Sequence, residues 1–214
     1  MRINETNQQN FKARNPEIRF ADDLARKINK EYIRISATKI EAMDNAPQFS
    51  NAIEKLKLAI RNMRQETNRK IRLFGSMEEF VDILFNSTKQ HKKGNCGESA
   101  ELTTITAKVN GIKNCAKAYL ANPYGGNFDH AVVLVKGKKP YIIDTWLGFA
   151  DYVPNTIKRY QGEFRRYFDF DKYGEKMVIK VEEHNRVNEI FSEKNIAKIK
   201  KAHPEIVMNT KHTH

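Results

Sequence analysis

Two short apolar runs constrain this chain more than any other feature. Phe128–Val135 (FDHAVVLV) and Tyr141–Trp146 (YIIDTW) are rich in β-branched and aromatic residues, and only Lys136-Gly137-Lys138-Lys139 and Pro140 separate them. Runs of this length and composition suit a pleated, buried surface, so the pair predicts an antiparallel β-hairpin. His130 interrupts the first run and Asp144 the second. A charge inside an apolar run is costly unless it has a partner. A turn centred on Gly137 pairs residues whose numbers sum to 274, which sets His130 directly opposite Asp144. Their Cβ atoms would then lie about 4.5–5.5 Å apart. A slip of one residue would send them to opposite faces.

The flanking sequence supplies the other elements. Residues 113–121 read as a further strand, and 96–110 as a helix with Leu102, Ile105 and Val109 on one face and Gly111 as its stop. Asn122–Asn127 (NPYGGN) reads as a loop. Helices are expected over 21–42 and about 51–70, with a third opened by the capping box Ser76 to Glu79. Residues 151–172 show no period; 176–182 read as a strand and 186–201 as a last helix. The expected fold class is α+β: a helix packed on an antiparallel β-sheet, with a helical N-terminal half. Residues 1–18 are polar and read as a mobile tail, 19–202 as one domain (19–92 helical, 93–182 core), and 203–214 as a C-terminal tail.

Composition removes several classes. The longest relevant apolar run, Ala131–Val135, is far too short to cross a bilayer, so no integral membrane association is expected. The first twenty residues hold no apolar stretch of the secretory type. Two cysteines, Cys96 and Cys115, make no disulfide framework, which points to a reducing place of action. Thirty-eight basic against 26 acidic residues give a net charge of +12, weighted toward the N-terminal half. Such a balance attracts acidic partners.

Cys96 stands in Gly94-Asn95-Cys96-Gly97-Glu98. With Asn95 as the cap, the thiol falls on the first helical residue, where the positive end of the helix dipole favours thiolate. The two glycines allow close approach of another backbone or a substrate. Cys96, His130 and Asp144 together then form a nucleophile, a base and an acid that orients the base. No CxxC or HxxxH spacing turns His91, Cys96, Cys115 and His130 into a zinc site, and no metal or other cofactor is expected.

The order of cysteine at a helix start, histidine on a strand and aspartate on the next strand resembles the papain-like and transglutaminase-like superfamily. The spacings, 34 residues from Cys96 to His130 and 14 to Asp144, are closer to its transglutaminase-core, arylamine-acetyltransferase and toxin branches than to papain itself. GNCGE, DHAVVLV and IIDTWLG are similar to the papain-fold domains of dermonecrotic toxins and injected bacterial effectors, several of which deamidate glutamine in host proteins. The likeness covers about residues 90–150. It implies a Cys96-His130-Asp144 hydrolase or acyltransferase acting on carboxamides, with glutamine deamidation, proteolysis and cross-linking as the three outcomes. It also implies an oxyanion donor, for which Gln90, six residues before the cysteine, and Asn95 are the candidates. Trp146 would share the face of Asp144 and shape a substrate slot, or serve as core. The implied partner is a host protein with an acidic surface, met in the host cytoplasm after secretion, with the bacterial cytoplasm as the alternative. A non-enzymatic reading, a basic module for acidic protein or nucleic acid with Cys96 as a structural thiol, stands against it, and nucleic acid is the less favoured of its ligands.

Overall fold

The computed structural model describes residues 15–41, 46–74, 77–121, 129–163, 178–181 and 192–208. Helix α1 (Pro16–Glu31) opens it. Asn15 caps the helix, its Oδ1 accepting the Glu17 N–H at 2.9 Å, and Pro16 occupies a first-turn position where its missing N–H costs nothing. Ile18, Leu24 and Ile28 form the buried stripe. Residues 16–18 therefore belong to a helix and not to the expected tail.

The helix expected to run to residue 42 stops at Glu31 and resumes as the short α2 (Ala37–Glu41). A tertiary pairing interrupts it. The Arg34 and Ile35 N–H groups both donate to the Lys92 carbonyl at 3.1 Å, and Ile35 bridges Lys93 in parallel. A 3-10 turn (Ala46–Phe49) leads into α3 (Ser50–Phe74), which packs on α4 (Met77–His91). Ser76, half of the expected capping box, lies outside the described residues, as does the 122–127 loop.

Helix α5 (Cys96–Val109) is buried around most of its circumference. Two of its three threonines tolerate this because their hydroxyls return to carbonyls one turn back, Thr103 to Ser99 at 2.7 Å and Thr104 to Ala100 at 2.8 Å, whereas the Thr106 hydroxyl is buried without a hydrogen-bond partner. Gly111, at φ +97°, then supplies the left-handed turn that ends it.

The sheet contains β1 (Cys115–Ala121), β2 (Asp129–Val135), β3 (Tyr141–Asp144), β4 (Phe149–Tyr152) and β5 (Val178–Val181), in the order β4-β3-β2-β1-β5 with antiparallel neighbours. The hairpin forms, but its register differs from the expected one. Val135 pairs with Tyr141, Leu134 with Ile142 and Val133 with Ile143, so the paired numbers sum to 276. The expected register would have put Pro140 opposite Leu134, inside the ladder, where proline has no N–H to donate. The observed one moves Pro140 past the last pair. Because the shift is an even number of residues, every side chain keeps its face.

Both faces of the sheet are covered, which is why these strands read as apolar runs broken only by a few polar residues such as His130 and Asp144. Ala131, Val133, Val135, Tyr141 and Ile143 pack with α1 and α5. Ala118, Leu120, Val132 and Ile142 pack on the other side with Trp146, Phe149 and Tyr160, the last from α6 (Val153–Gln161). At the C-terminal end, α7 (Glu193–Ala202) starts later than expected, and residues 203–208 are packed rather than frayed. Ile206 is buried, its carbonyl accepts from Asn110 Nδ2 at 2.8 Å, and the Met208 N–H donates to Asn110 Oδ1 at 2.8 Å. The fold is α+β, as the sequence predicts, and among the described residues no helix is long and apolar enough to cross a membrane.

Leu102, fully buried on α5, is a direct check of this packing. Leu102→Ala should lower unfolding free energy by about 2–5 kcal/mol in urea titration, the usual range for such a cavity. A cost near zero would mean that α5 is not packed on the sheet.

Candidate active site

The segment before Cys96 is held in place from several sides. Gly94 donates its N–H to the Ile35 carbonyl at 3.2 Å. A Cβ on Gly94 would lie 3.1 Å from Glu98 Cβ and 3.2 Å from Ile33 Cδ1, so only glycine lets the loop and helix approach this closely. At Gly97 a Cβ would meet nothing within 4 Å, so that side of the helix start is open. The Asn95 N–H donates to Glu98 Oε2 at 2.9 Å, the reciprocal half of a capping box. Asn95 Oδ1 accepts from Ser36 Oγ at 3.0 Å. Glu98 is gripped in turn by Arg64 of α3, whose Nη2 donates to Oε2 at 2.9 Å and whose Nε donates to Oε1. Cys96 is the first residue of α5 and is half-buried, and by position its own N–H has no acceptor within the helix.

His130 and Asp144 lie on the sheet face opposite that covered by α5. The thiol nevertheless reaches them, because α5 begins where β2 runs beyond its pairing with β3. That pairing stops at Val133–Ile143. Past it, the Ala131 N–H and the His130 imidazole both hydrogen-bond Cys96. Cys96 consequently packs against both apolar clusters, at the place where they meet.

His130 and Asp144 are buried, at 3 % and 0 % exposure, and His130 Nε2 lies 2.7 Å from Asp144 Oδ2. They are diagonal neighbours, not the directly opposed pair expected from a turn centred on Gly137. The diagonal remains within reach of an imidazole and a carboxylate. Asp144 is further held by the Leu147 N–H, which donates to Oδ1 at 2.9 Å, and by the Tyr160 hydroxyl, which donates to Oδ2 at 2.7 Å. With Nε2 engaged by the carboxylate, Nδ1 is the ring nitrogen left for the thiol, the arrangement a base needs to serve a nucleophile while a third group fixes its tautomer.

The charges follow from these contacts. Burial opposes ionisation of Cys96, but the His130 hydrogen bond and charge, with the Ala131 N–H, outweigh it and hold the thiol below its ordinary value of 9.0. Burial would also discharge His130, yet the charge and hydrogen bond of Asp144 push its pKa up to about 10. Asp144 resists burial in the same way through His130, Tyr160 and Leu147, and stays below the ordinary carboxylate value. Tyr160, buried beside that carboxylate, is raised well above 10.0 and remains a donor. These contacts thus shift the pair toward thiolate and imidazolium.

Of the further candidates, Trp146 belongs to the site. It sits in the turn after β3 and not on the strand, with its ring centroid 5.1 Å from that of His130. Its Nε1–H donates to Ser36 Oγ at 2.8 Å, so Trp146, Ser36 and Asn95 form a chain of hydrogen bonds from the Asp144 turn to the Cys96 loop. Asn29 Nδ2 pins the same turn by donating to the Thr145 and Trp146 carbonyls at 2.7 and 3.0 Å. Asn95 acts as the helix cap. Gln90 is exposed on the last turn of α4, and among the described residues no hydrogen bond joins it to the group, so nothing supports the oxyanion role assigned to it. Tyr160, Ser36 and Arg64 were not anticipated. Buried Thr156 and Tyr160, four residues apart after Pro154, are a helical stripe that could have drawn attention to the tyrosine. The chain matches no family model, no curated protein and no solved structure.

Two measurements probe the site. Cys96 should be alkylated at pH 7 much faster than Cys115, which burial pushes up to about 11. His130→Ala should slow the Cys96 reaction at least tenfold by removing the imidazolium. Equal rates at both thiols, unchanged by that substitution, would refute an activated nucleophile. Tyr160→Phe removes a donor from a buried carboxylate and should cost about 1.5–3 kcal/mol at pH 7. Because the folded pKa of Asp144 is depressed, its stabilisation is present above the unfolded value and is lost as pH falls through the folded one. The variant's folded pKa is higher, so its acid unfolding should begin at higher pH than in the wild type.

Proposed function

We propose that this chain is a thiol enzyme that hydrolyses carboxamides, and most specifically that it deamidates a glutamine side chain in a partner protein. The observation that carries the reading is the imidazole of His130, bonded on one side to a buried, triply held carboxylate and on the other to a thiol at a helix start. The choice of glutamine rests on the resemblance of GNCGE, DHAVVLV and IIDTWLG to glutamine-deamidating toxin and effector domains. The same resemblance suggests a bacterial protein acting in a host cytoplasm.

The reaction follows from the positions of the groups. The Cys96 thiolate attacks the amide carbon, and the oxygen that becomes negative is met by the Cys96 N–H at the positive end of α5. The His130 imidazolium gives its proton to the amide nitrogen, the C–N bond breaks, and ammonia leaves. Neutral His130 then takes a proton from water as that water attacks the thioester. The C–S bond breaks, the substrate keeps a carboxylic acid, and the thiolate–imidazolium pair is restored. Asp144 stays ionised throughout and stabilises each imidazolium.

Peptide mass spectrometry of acidic host proteins treated with the enzyme tests the proposal. An amide-to-acid mass gain at a glutamine that disappears with Cys96→Ala is the expected result. Cleaved chains would make it a protease, and lysine-linked adducts a transglutaminase. Products that persist with Cys96→Ala would exclude the thiol altogether.

A further inference from the structure

Helix α3 has more exposed, basic surface than its place in the fold requires. Its 25 residues include seven Lys or Arg against two Glu, a large part of the chain's excess positive charge. Among its described side chains only Ile53, Ile60 and Met63 are buried. Around the helix the opposite face carries Lys55, Leu58, Arg61 and Arg69, all exposed. Leu58 at 53 % and Phe49 at 50 %, just before the helix, are the two most exposed large apolar side chains among the described residues. Arg64 joins this helix to Glu98, two residues from the thiol, and the neighbouring Gly97 faces open space.

We propose that the outer face of α3 is a docking ridge for an acidic, leucine-bearing segment of the substrate protein, laid beside the open end of α5 so that its glutamine reaches Cys96. The inference rests on the proposed deamidase reading for its orientation but not for its binding. Leu58 and Phe49 provide the apolar contact. Lys55 and Arg61 flank Leu58 one turn to either side and outnumber the exposed Glu54 beside it, and Arg69 continues the positive charge two turns beyond Arg61. Mixed arginine and apolar surfaces of this kind are common centres of protein recognition. Opposite charge on the partner would speed and orient its approach.

The test uses the full chain as Cys96→Ala, so that turnover plays no part, and follows fluorescence anisotropy with three probes. These are a Glu-rich peptide carrying leucines and one glutamine, a Lys-rich peptide of equal length, and a single-stranded oligouridylate. The Glu-rich peptide should bind, and K55E/R61E/R69E should weaken it at least tenfold. Leu58→Asp, a milder change to the fold, should weaken it as well. Binding of that peptide unaffected by both variants, or no binding to the parent chain, overturns the ridge. Tighter binding of the oligouridylate, lost with the same charge reversals, overturns it in favour of nucleic acid. A peptide that binds through the ridge but is not deamidated by the wild type would instead count against the proposed reaction.

Discussion

The buried contact between His130 and Asp144 is the interaction that the remainder of the structure accommodates. Removing two ionisable groups from water costs several kcal/mol for each charge, and their mutual attraction repays this only when the other hydrogen-bonding capacity is filled. The surroundings fill it. Leu147 and Tyr160 complete the carboxylate, and Cys96 takes up the imidazole. An apolar pair of similar volume would fill the space at least as well, so stability alone does not account for the choice. Charge kept at such cost in a cluster with Trp146, Phe149 and Tyr160 points to chemistry.

Much of this was legible in the sequence, for reasons that are local. The hairpin, the helix beginning at Cys96 and the shared face of His130 and Asp144 all follow from short-range patterns: β-branched runs, a capping asparagine before an acidic third residue, and a period of two. The register was not legible, because a turn centre read from Gly137 ignores the proline three residues on. Parity protected the conclusion, since a shift of two leaves each side chain on its face. The early stop of α1 was equally hidden. The segment 32–36 is helix-compatible, but Arg34 pairs with Lys92 and Ile35 with Lys93, each 58 residues away in the chain. Tyr160 could not be found at all from the motif, since nothing in the sequence links it to Asp144 before the strands are laid side by side.

Cys115 shows what sets the other thiol apart. Both cysteines are largely withdrawn from water, and for both burial raises the pKa. Cys115 Sγ hydrogen-bonds the Ile112 and Thr104 carbonyls, acceptors that favour the protonated thiol, and the Lys108 charge does not offset its burial. Cys96 finds a charged imidazole and a backbone donor, which favour the thiolate. Burial opposes the thiolate at both sulfurs, and the partners at Cys96 reverse the tendency.

Cys96 is also where the two halves of the chain depend on each other. The base and the acid stand on one face of the sheet, whereas α5 lies on the other, so the thiol meets them only if the first turn of α5 stays fixed at the unpaired end of β2. No residue of the triad can hold it there. The fixing contacts come from the N-terminal half: Ser36 bonds both Asn95 and Trp146, Arg64 grips Glu98, and Asn29 holds the turn that carries Trp146. Their hydrogen bonds go to the loop, the helix start and the turn rather than to the sulfur or the carboxylate. They tie the loop before Cys96 and the turn after Asp144 to the same helical framework, so that a displacement of one is resisted through the other. A helical layer outside the Cys96–His130–Asp144 group therefore sets the distance on which the proposed reaction depends.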